Sequence, residues 1–66
     1  MRVTVNDMER EVRDGLTVAA LLEAEGEPIG HVLVEVNGVH LHLREYDSCI
    51  LKTGDRIEII YPAAGG

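Results

Sequence analysis

Cysteine, positive charge and long apolar runs are all scarce in this sequence. Among 66 residues there is one cysteine, Cys49, so no disulfide can form within the chain. No Cys/His spacing is typical of a zinc site, and no stretch approaches the roughly 20 apolar residues of a transmembrane helix. A domain this small buries only about 60% of the surface that its unfolded chain exposes, which leaves little room for a deep pocket. We therefore expect one small apolar core, no metal site, no cofactor bound by this chain, and no catalysis by the domain alone.

The charge is mostly of one sign. Twelve acidic residues against 6 basic ones give a net charge of −6. An acidic domain repels nucleic acid and anionic membrane surfaces, and it suits docking to a basic protein surface. Residues 1–5 alternate between polar and apolar from the start, which is not the pattern of a signal peptide. Together with the lone thiol, this predicts a cytoplasmic protein that binds neither nucleic acid nor membrane.

The first half of the chain is typical of a hairpin followed by a helix. Val3 and Val5 alternate with polar residues and predict a half-buried strand, and the charged residues 9–13 predict an edge strand. Asn6-Asp7 predicts a turn between them. A helix is predicted near residues 17–25, with Thr17 as its N-cap and Gly26 at its C-terminal end.

The second half alternates again and predicts three strands. Residues 31–36 and 39–43 flank Asn37-Gly38, the strongest short hairpin signal in the sequence. The last strand is predicted over residues 56–61, with Tyr61 on its inner face. The order strand, strand, helix, strand, strand, strand predicts an α+β fold in which one helix covers one face of a mixed sheet. The predicted core is Val3, Val5, Val18, Leu21, Leu22, Val32, Val34, Val36, Leu41, Ile57 and Ile59.

The last five residues are unlike the rest of the chain. Pro62 cannot donate a ladder hydrogen bond, so the strand should end there. Ala63 and Ala64 have little apolar area to bury, and Gly65 and Gly66 have none. We therefore divide the chain into a domain over residues 1–61 and a flexible tail over residues 62–66. Fully extended, the tail reaches about 17 Å, and a narrow channel could close around its bare glycine backbone. The predicted working group is the C-terminal carboxylate of Gly66.

Several short motifs and their order along the chain resemble those of the β-grasp (ubiquitin-like) sulfur carriers. The chain length best fits the ThiS family of thiamine biosynthesis. These motifs are Thr17-Val18 with Leu21-Leu22, Val36-Asn37-Gly38, Gly54-Asp55-Arg56-Ile57, and the terminal Gly65-Gly66. The resemblance implies that an E1-like (ThiF-like) enzyme uses ATP to adenylate Gly66. It also implies that a sulfur donor such as a cysteine desulfurase then supplies a thiocarboxylate, and that a ThiG-like thiazole synthase takes the sulfur. No GxxxxGK[ST] phosphate loop is present, so the ATP site is expected on the partner.

Two alternatives use the same activated glycine, and a third does not. Tyr61-Pro62 is similar to the molybdopterin-synthase small subunit (MoaD-like), which predicts sulfur supply for molybdopterin instead. A ubiquitin-like modifier would join Gly66 to a lysine of another protein. A plain interaction module would have an inert tail.

Four further groups of residues are candidate sites. Ile60 and Leu33 face outward beside charged residues and are predicted to mark a docking surface. Electrostatic steering by acidic residues near the helix C-terminus is expected to speed docking to a basic partner, and these residues are Glu23, Glu25 and Glu27. Cys49 has no paired base in sequence and is interpreted as structural. His40 and His42 are two possible ligands, which is too few for a metal site.

Overall fold

A computed structural model describes residues 1–62 of the chain. Its strands are β1 (Arg2–Val5), β2 (Met8–Glu11), β3 (Leu33–Val36), β4 (Val39–Leu41) and β5 (Arg56–Ile60), and its helix is α1 (Val18–Ala24). Two short 3₁₀ helices cover Ile29–His31 and Leu43–Glu45. The predicted succession of strands and helix is therefore confirmed for this part of the chain.

The strands form one mixed sheet in the order β2-β1-β5-β3-β4. Strands β1 and β5 are parallel, and the other neighbours are antiparallel. Strand β2 lies at the edge, as its charged sequence predicted, although it begins at Met8 and ends at Glu11 rather than covering residues 9–13. The last strand in sequence is thus the middle strand of the sheet.

Two-residue turns close both hairpins. Asn6 and Asp7 have φ of 48° and 68°, and Asn37 and Gly38 have φ of 53° and 82°. Positive φ at both central residues is the requirement of a type I′ turn, whose twist matches that of the strands. Asparagine tolerates this conformation better than most residues do, which explains its presence at both turns.

Helix α1 begins and ends where its sequence predicted. The Thr17 hydroxyl accepts a hydrogen bond from the Ala20 N–H at 3.1 Å and caps the N-terminus. At the other end, Gly26 has φ of 74°, and the N–H of Glu27 donates to the Leu22 carbonyl at 2.9 Å. The N–H of Gly26 donates to the Glu23 carbonyl at 3.1 Å, which completes a Schellman motif.

The core lies between α1 and one face of the sheet. Its buried members are Val3, Val5, Leu16, Val18, Leu21, Leu22, Val32, Val34, Tyr46, Leu51, Ile57 and Ile59. Val36 and Leu41, predicted as core, are only half-buried against this cluster. Leu16, Tyr46 and Leu51 were not predicted, because they lie in connections where no periodicity marks an inner face.

Three predictions of strand residues are wrong. His31 lies in a 3₁₀ turn in which its N–H donates to the Pro28 carbonyl at 2.8 Å, so β3 begins only at Leu33. Leu43 lies in the second 3₁₀ helix and is exposed, because the chain turns after β4. Tyr61 is not on an inner face: it is 58% exposed. Its neighbour Ile60 already pairs with the first residue of β3, so Tyr61 lies beyond the sheet.

Replacing Leu22 by alanine should lower the free energy of unfolding by roughly 2–5 kcal/mol, because its side chain is completely buried between α1 and the sheet. Urea denaturation measures the change. Leu43→Ala is the matched control: the same atoms are removed from a side chain that is 58% exposed, and the loss should stay within about 0.5 kcal/mol. Equal losses in the two variants would mean that Leu22 is not a core residue.

Candidate functional site

The candidate site is the end of β5, where the chain leaves the sheet toward its C-terminus. Tyr61 and Pro62 are both exposed there. The tail residues Ala63, Ala64, Gly65 and Gly66 lie outside the described residues, so their predicted flexibility and the predicted role of the Gly66 carboxylate stay predictions. What the structure defines is the base to which this tail is attached.

The side chain of Asn6 holds that base in place. Its Oδ1 accepts a hydrogen bond from the Ile59 N–H at 2.8 Å, and its Nδ2 donates to the Ile59 carbonyl at 3.3 Å. Its backbone N–H also donates to the Ile57 carbonyl at 3.0 Å. The amide therefore continues the parallel β1–β5 ladder after β1 has turned away. Strand β5 is fixed in this way up to three residues before Pro62.

A second asparagine holds the opposite end of β5. Asn37 Oδ1 accepts from the Arg56 N–H at 2.9 Å, and its Nδ2 donates to Asp55 Oδ1 at 2.9 Å. The other carboxylate oxygen of Asp55 accepts from the Lys52 N–H at 2.7 Å. Asp55 is only 9% exposed, and these bonds satisfy it. The Asn37-Gly38 and Gly54-Asp55 motifs, far apart in sequence, thus contact each other.

The structure brings the predicted docking residues Leu33 and Ile60 together. They are directly opposite each other on β3 and β5, and they are 44% and 37% exposed. Their sequence neighbours Val34 and Ile59 are buried under the helix, so the pair lies on the outer face of the sheet. Ile60 is also two residues from Pro62. That this pair binds a partner stays a prediction.

The acidic residues Glu23, Glu25 and Glu27 lie on the helix side, away from that outer face. The Glu25 carboxylate accepts hydrogen bonds from Arg10 Nε at 3.2 Å and from its Nη2 at 3.3 Å. Arg10 therefore supplies the cation that a helix C-terminus favours, and it explains why an acidic residue is tolerated there. Glu23 is exposed and Glu27 is half-buried. Their role in electrostatic steering stays a prediction.

Cys49 and the two histidines do not form a reactive centre with other groups. Burial and the nearby Asp55 carboxylate raise the pKa of the half-buried Cys49 thiol, whereas reactive cysteines have a lowered pKa. The rings of His40 and His42 meet edge to face at 5.0 Å between centroids. Within residues 1–62, no group of three His, Cys, Asp or Glu side chains is placed to hold a metal ion.

The described part of the chain encloses no pocket. None of its helices is long and apolar enough to cross a membrane.

The chain is similar to one known family of proteins. The family model of the ThiS family matches residues 1–66. The crystal structure of the thiamine biosynthesis protein ThiS from Geobacter metallireducens is 35% identical, with a TM-score of 0.88, and the match covers 100% of both chains. The solution structure of a thiamine biosynthesis protein from the same organism, also 35% identical, has a TM-score of 0.81 over 100% of this chain and 88% of that one. The comparison with curated proteins finds no match.

Replacing Asn6 should loosen the base of the tail. Asn6→Gly removes both side-chain hydrogen bonds to Ile59 and should cost about 1–3 kcal/mol of unfolding free energy. Asn6→Ala should cost more, because alanine is also strained at a φ of 48°. Amide hydrogen exchange should speed up most at Ile59. Unchanged exchange at Ile59 in both variants would show that β5 does not depend on this amide.

Alkylation of Cys49 by iodoacetamide at about pH 8 should be slower in the folded protein than in the denatured chain. The raised pKa of the thiol lowers the fraction of reactive thiolate at that pH. For the same reason, the rate in the folded protein should keep rising with pH beyond the point where the denatured chain levels off. Intact mass against time measures both rates. A folded protein that reacts faster than the denatured chain would contradict the structural interpretation of Cys49.

Proposed function

This chain belongs to the ThiS family, and from that premise we propose that it is a sulfur carrier for thiamine biosynthesis, with the C-terminal carboxylate of Gly66 as its working group. The observation that carries the proposal is the family match over the whole chain, diglycine end included. The two solved structures of thiamine biosynthesis proteins, which share the fold at 35% identity, support the pathway.

The proposed chemistry begins with activation of a poor electrophile. A Gly66 carboxylate oxygen attacks the α-phosphorus of ATP, and pyrophosphate leaves with the electrons of the broken P–O bond. The terminal sulfur of a donor persulfide, such as one formed on a cysteine desulfurase, then attacks the acyl carbon, and AMP leaves to give an acyl disulfide. A second thiol reduces that disulfide: it releases the thiocarboxylate and becomes disulfide-bonded to the donor cysteine. The resulting thiocarboxylate carries sulfur to thiazole synthase. The ATP site belongs to the E1-like partner in this proposal, and the carrier acts as a co-substrate.

The described fold suits this role because the end of β5, to which the tail is attached, is held firmly by hydrogen bonds and lies apart from the proposed reacting group. Strand β5 is hydrogen-bonded on both sides, to β1 and to β3, and Asn6 continues that pairing to Ile59. The five residues after Tyr61 are small and reach about 17 Å when extended. A partner can therefore bind the folded domain at its surface and draw the carboxylate into its own active site.

The alternatives that share the activated glycine are separated by their products. Intact mass of the carrier after reaction rises by the difference between a sulfur and an oxygen atom if a thiocarboxylate forms. A modifier would instead appear on larger proteins through an isopeptide bond. Reconstitution with thiazole synthase against the molybdopterin acceptor distinguishes the two sulfur pathways, and the family match favours the first.

Gly65→Val should abolish activation without weakening the fold. A branched side chain would clash with a channel that closes around bare backbone, whereas position 65 follows the end of β5 by five residues and should leave the melting temperature unchanged. Deleting Gly66 should have the same effect, because the carboxylate would fall about 3.5 Å short of the phosphate. ATP–pyrophosphate exchange with the cognate activating enzyme measures the loss. Ala63→Gly, which removes one methyl group farther from the end, is the control and should be activated normally. Activation of either tail variant at the wild-type rate would show that the tail is not the working part.

A further inference from the structure

Asn37-Gly38 is the one Asn-Gly pair of the chain, and asparagine in such a pair is prone to deamidation. The backbone nitrogen of the glycine attacks the side-chain carbonyl carbon of the asparagine, since no glycine side chain hinders its approach. A five-membered succinimide ring forms, and ammonia leaves with the proton of the glycine N–H. Water then opens the ring at one of its two carbonyls, which gives an aspartate or an isoaspartate. The net change is hydrolysis of a carboxamide to a carboxylate.

The fold holds the side chain of Asn37 by both of its polar atoms. Oδ1 accepts a hydrogen bond from the Arg56 N–H at 2.9 Å, and Nδ2 donates to Asp55 Oδ1 at 2.9 Å. Because a backbone N–H only donates and an ionised carboxylate only accepts, these partners fix the orientation of the carboxamide. The carboxamide must break both bonds before it can turn toward the Gly38 nitrogen. The folded domain therefore slows its deamidation.

The Asp55 carboxylate makes the product of this reaction a poor fit. Asp55 is buried, and its second oxygen already accepts from the Lys52 N–H at 2.7 Å. An aspartate at position 37 would replace the Nδ2 donor by an oxygen, so two carboxylates would lie at the distance of the present hydrogen bond. Two carboxylates that share a site disfavour each other's charge. An isoaspartate would also lengthen the backbone of a two-residue turn by one carbon, which its hairpin geometry does not accommodate.

We propose that Asn37 is a site of spontaneous deamidation that the folded domain protects, and that its modification leaves a chain that refolds to a much less stable domain. While the domain is folded, Arg56 and Asp55 hold the carboxamide away from the Gly38 nitrogen. When the second hairpin separates from β5, the reaction proceeds with water as its only co-reactant. The product cannot restore the bond to Asp55, so the start of β5 loses its contact with the turn. Nothing in this chemistry requires the carrier function.

Asn6 provides a matched comparison within the same protein. It is also the first residue of a two-residue turn, with φ of 48° against 53° for Asn37, and both of its side-chain polar atoms are also hydrogen-bonded. Its Nδ2, however, donates to the Ile59 carbonyl rather than to a carboxylate. Conversion to aspartate adds the same charge at both positions and removes one donor from each. The difference between the two conversions therefore measures the repulsion by Asp55.

Four variants test the role of Asp55. Asn37→Asp should lower the melting temperature by about 10–20 °C, against about 5 °C for Asn6→Asp. Asp55→Asn should lower it too, because two donors would then face each other. The double variant Asn37→Asp/Asp55→Asn exchanges carboxamide and carboxylate, so the N–H groups of Arg56 and Lys52 keep their acceptors and the bond between the side chains reverses. It should melt within about 5 °C of the wild type. Circular dichroism on heating measures all four.

The wild type tests the protection directly. At about pH 8, peptide mass after proteolysis should show deamidation of Asn37 at least about tenfold slower in the folded protein than in concentrated urea. Protein deamidated in urea and returned to buffer should melt about 10 °C or more below untreated protein. Equal rates in buffer and urea would overturn the protection. A loss in Asn37→Asp no larger than in Asn6→Asp, or a double variant no more stable than Asn37→Asp, would overturn the role of Asp55.

Discussion

The structure depends on the position of its last strand. Strand β5 lies between β1 and β3, so within the sheet the N-terminal hairpin and the second hairpin both pair with it. Two side chains secure it, Asn6 near one end and Asn37 near the other. Both belong to tight turns with positive φ, so one residue type reverses the chain and also completes the hydrogen bonding of its central strand. The segment that precedes Tyr61 is therefore held by hydrogen bonds at both of its ends.

The charges are sorted between the two faces of the sheet. On the helix side, Arg10 neutralises Glu25 at the C-terminal end of α1. On the outer side, Arg2 is shared by the acids of β2. Glu35 and Glu58 are opposite each other on β3 and β5, and neither is in an ion pair of residues 1–62. Some acidic residues are therefore ion-paired within the fold and others are not, and the net charge of −6 does not distinguish the two groups. Only register shows which acids are compensated within the fold.

Most of the fold follows from local sequence signals, and the exceptions have physical reasons. Asn37-Gly38 predicts its turn because few residues accept positive φ, and Thr17 with Gly26 predicts both ends of the helix. Periodicity fails where the chain is irregular, so Tyr46 and its role in the core were missed. It also fails where strands are short: alternation alone placed Tyr61 inside, although its neighbour Ile60 already pairs with the first residue of β3.

The candidate site was harder to predict from local sequence signals than the fold was. The diglycine and the exposure of Leu33 and Ile60 are visible in the sequence, because the first is a composition signal and the second follows from alternation. That Leu33 and Ile60 lie opposite each other depends on the register of two strands more than twenty residues apart, which no local pattern encodes. The bonds of Asn6 to Ile59 span almost the whole chain.

The parallel arrangement of β1 and β5 has a mechanical consequence. A force that pulls the C-terminal end of β5 away from the N-terminus of the chain acts along both strands. The backbone hydrogen bonds donated by Gly54 to Arg2, by Thr4 to Asp55 and by Asn6 to Ile57 therefore share the load instead of opening one after another. This arrangement therefore protects the domain against unfolding by a force applied at the C-terminal end of β5.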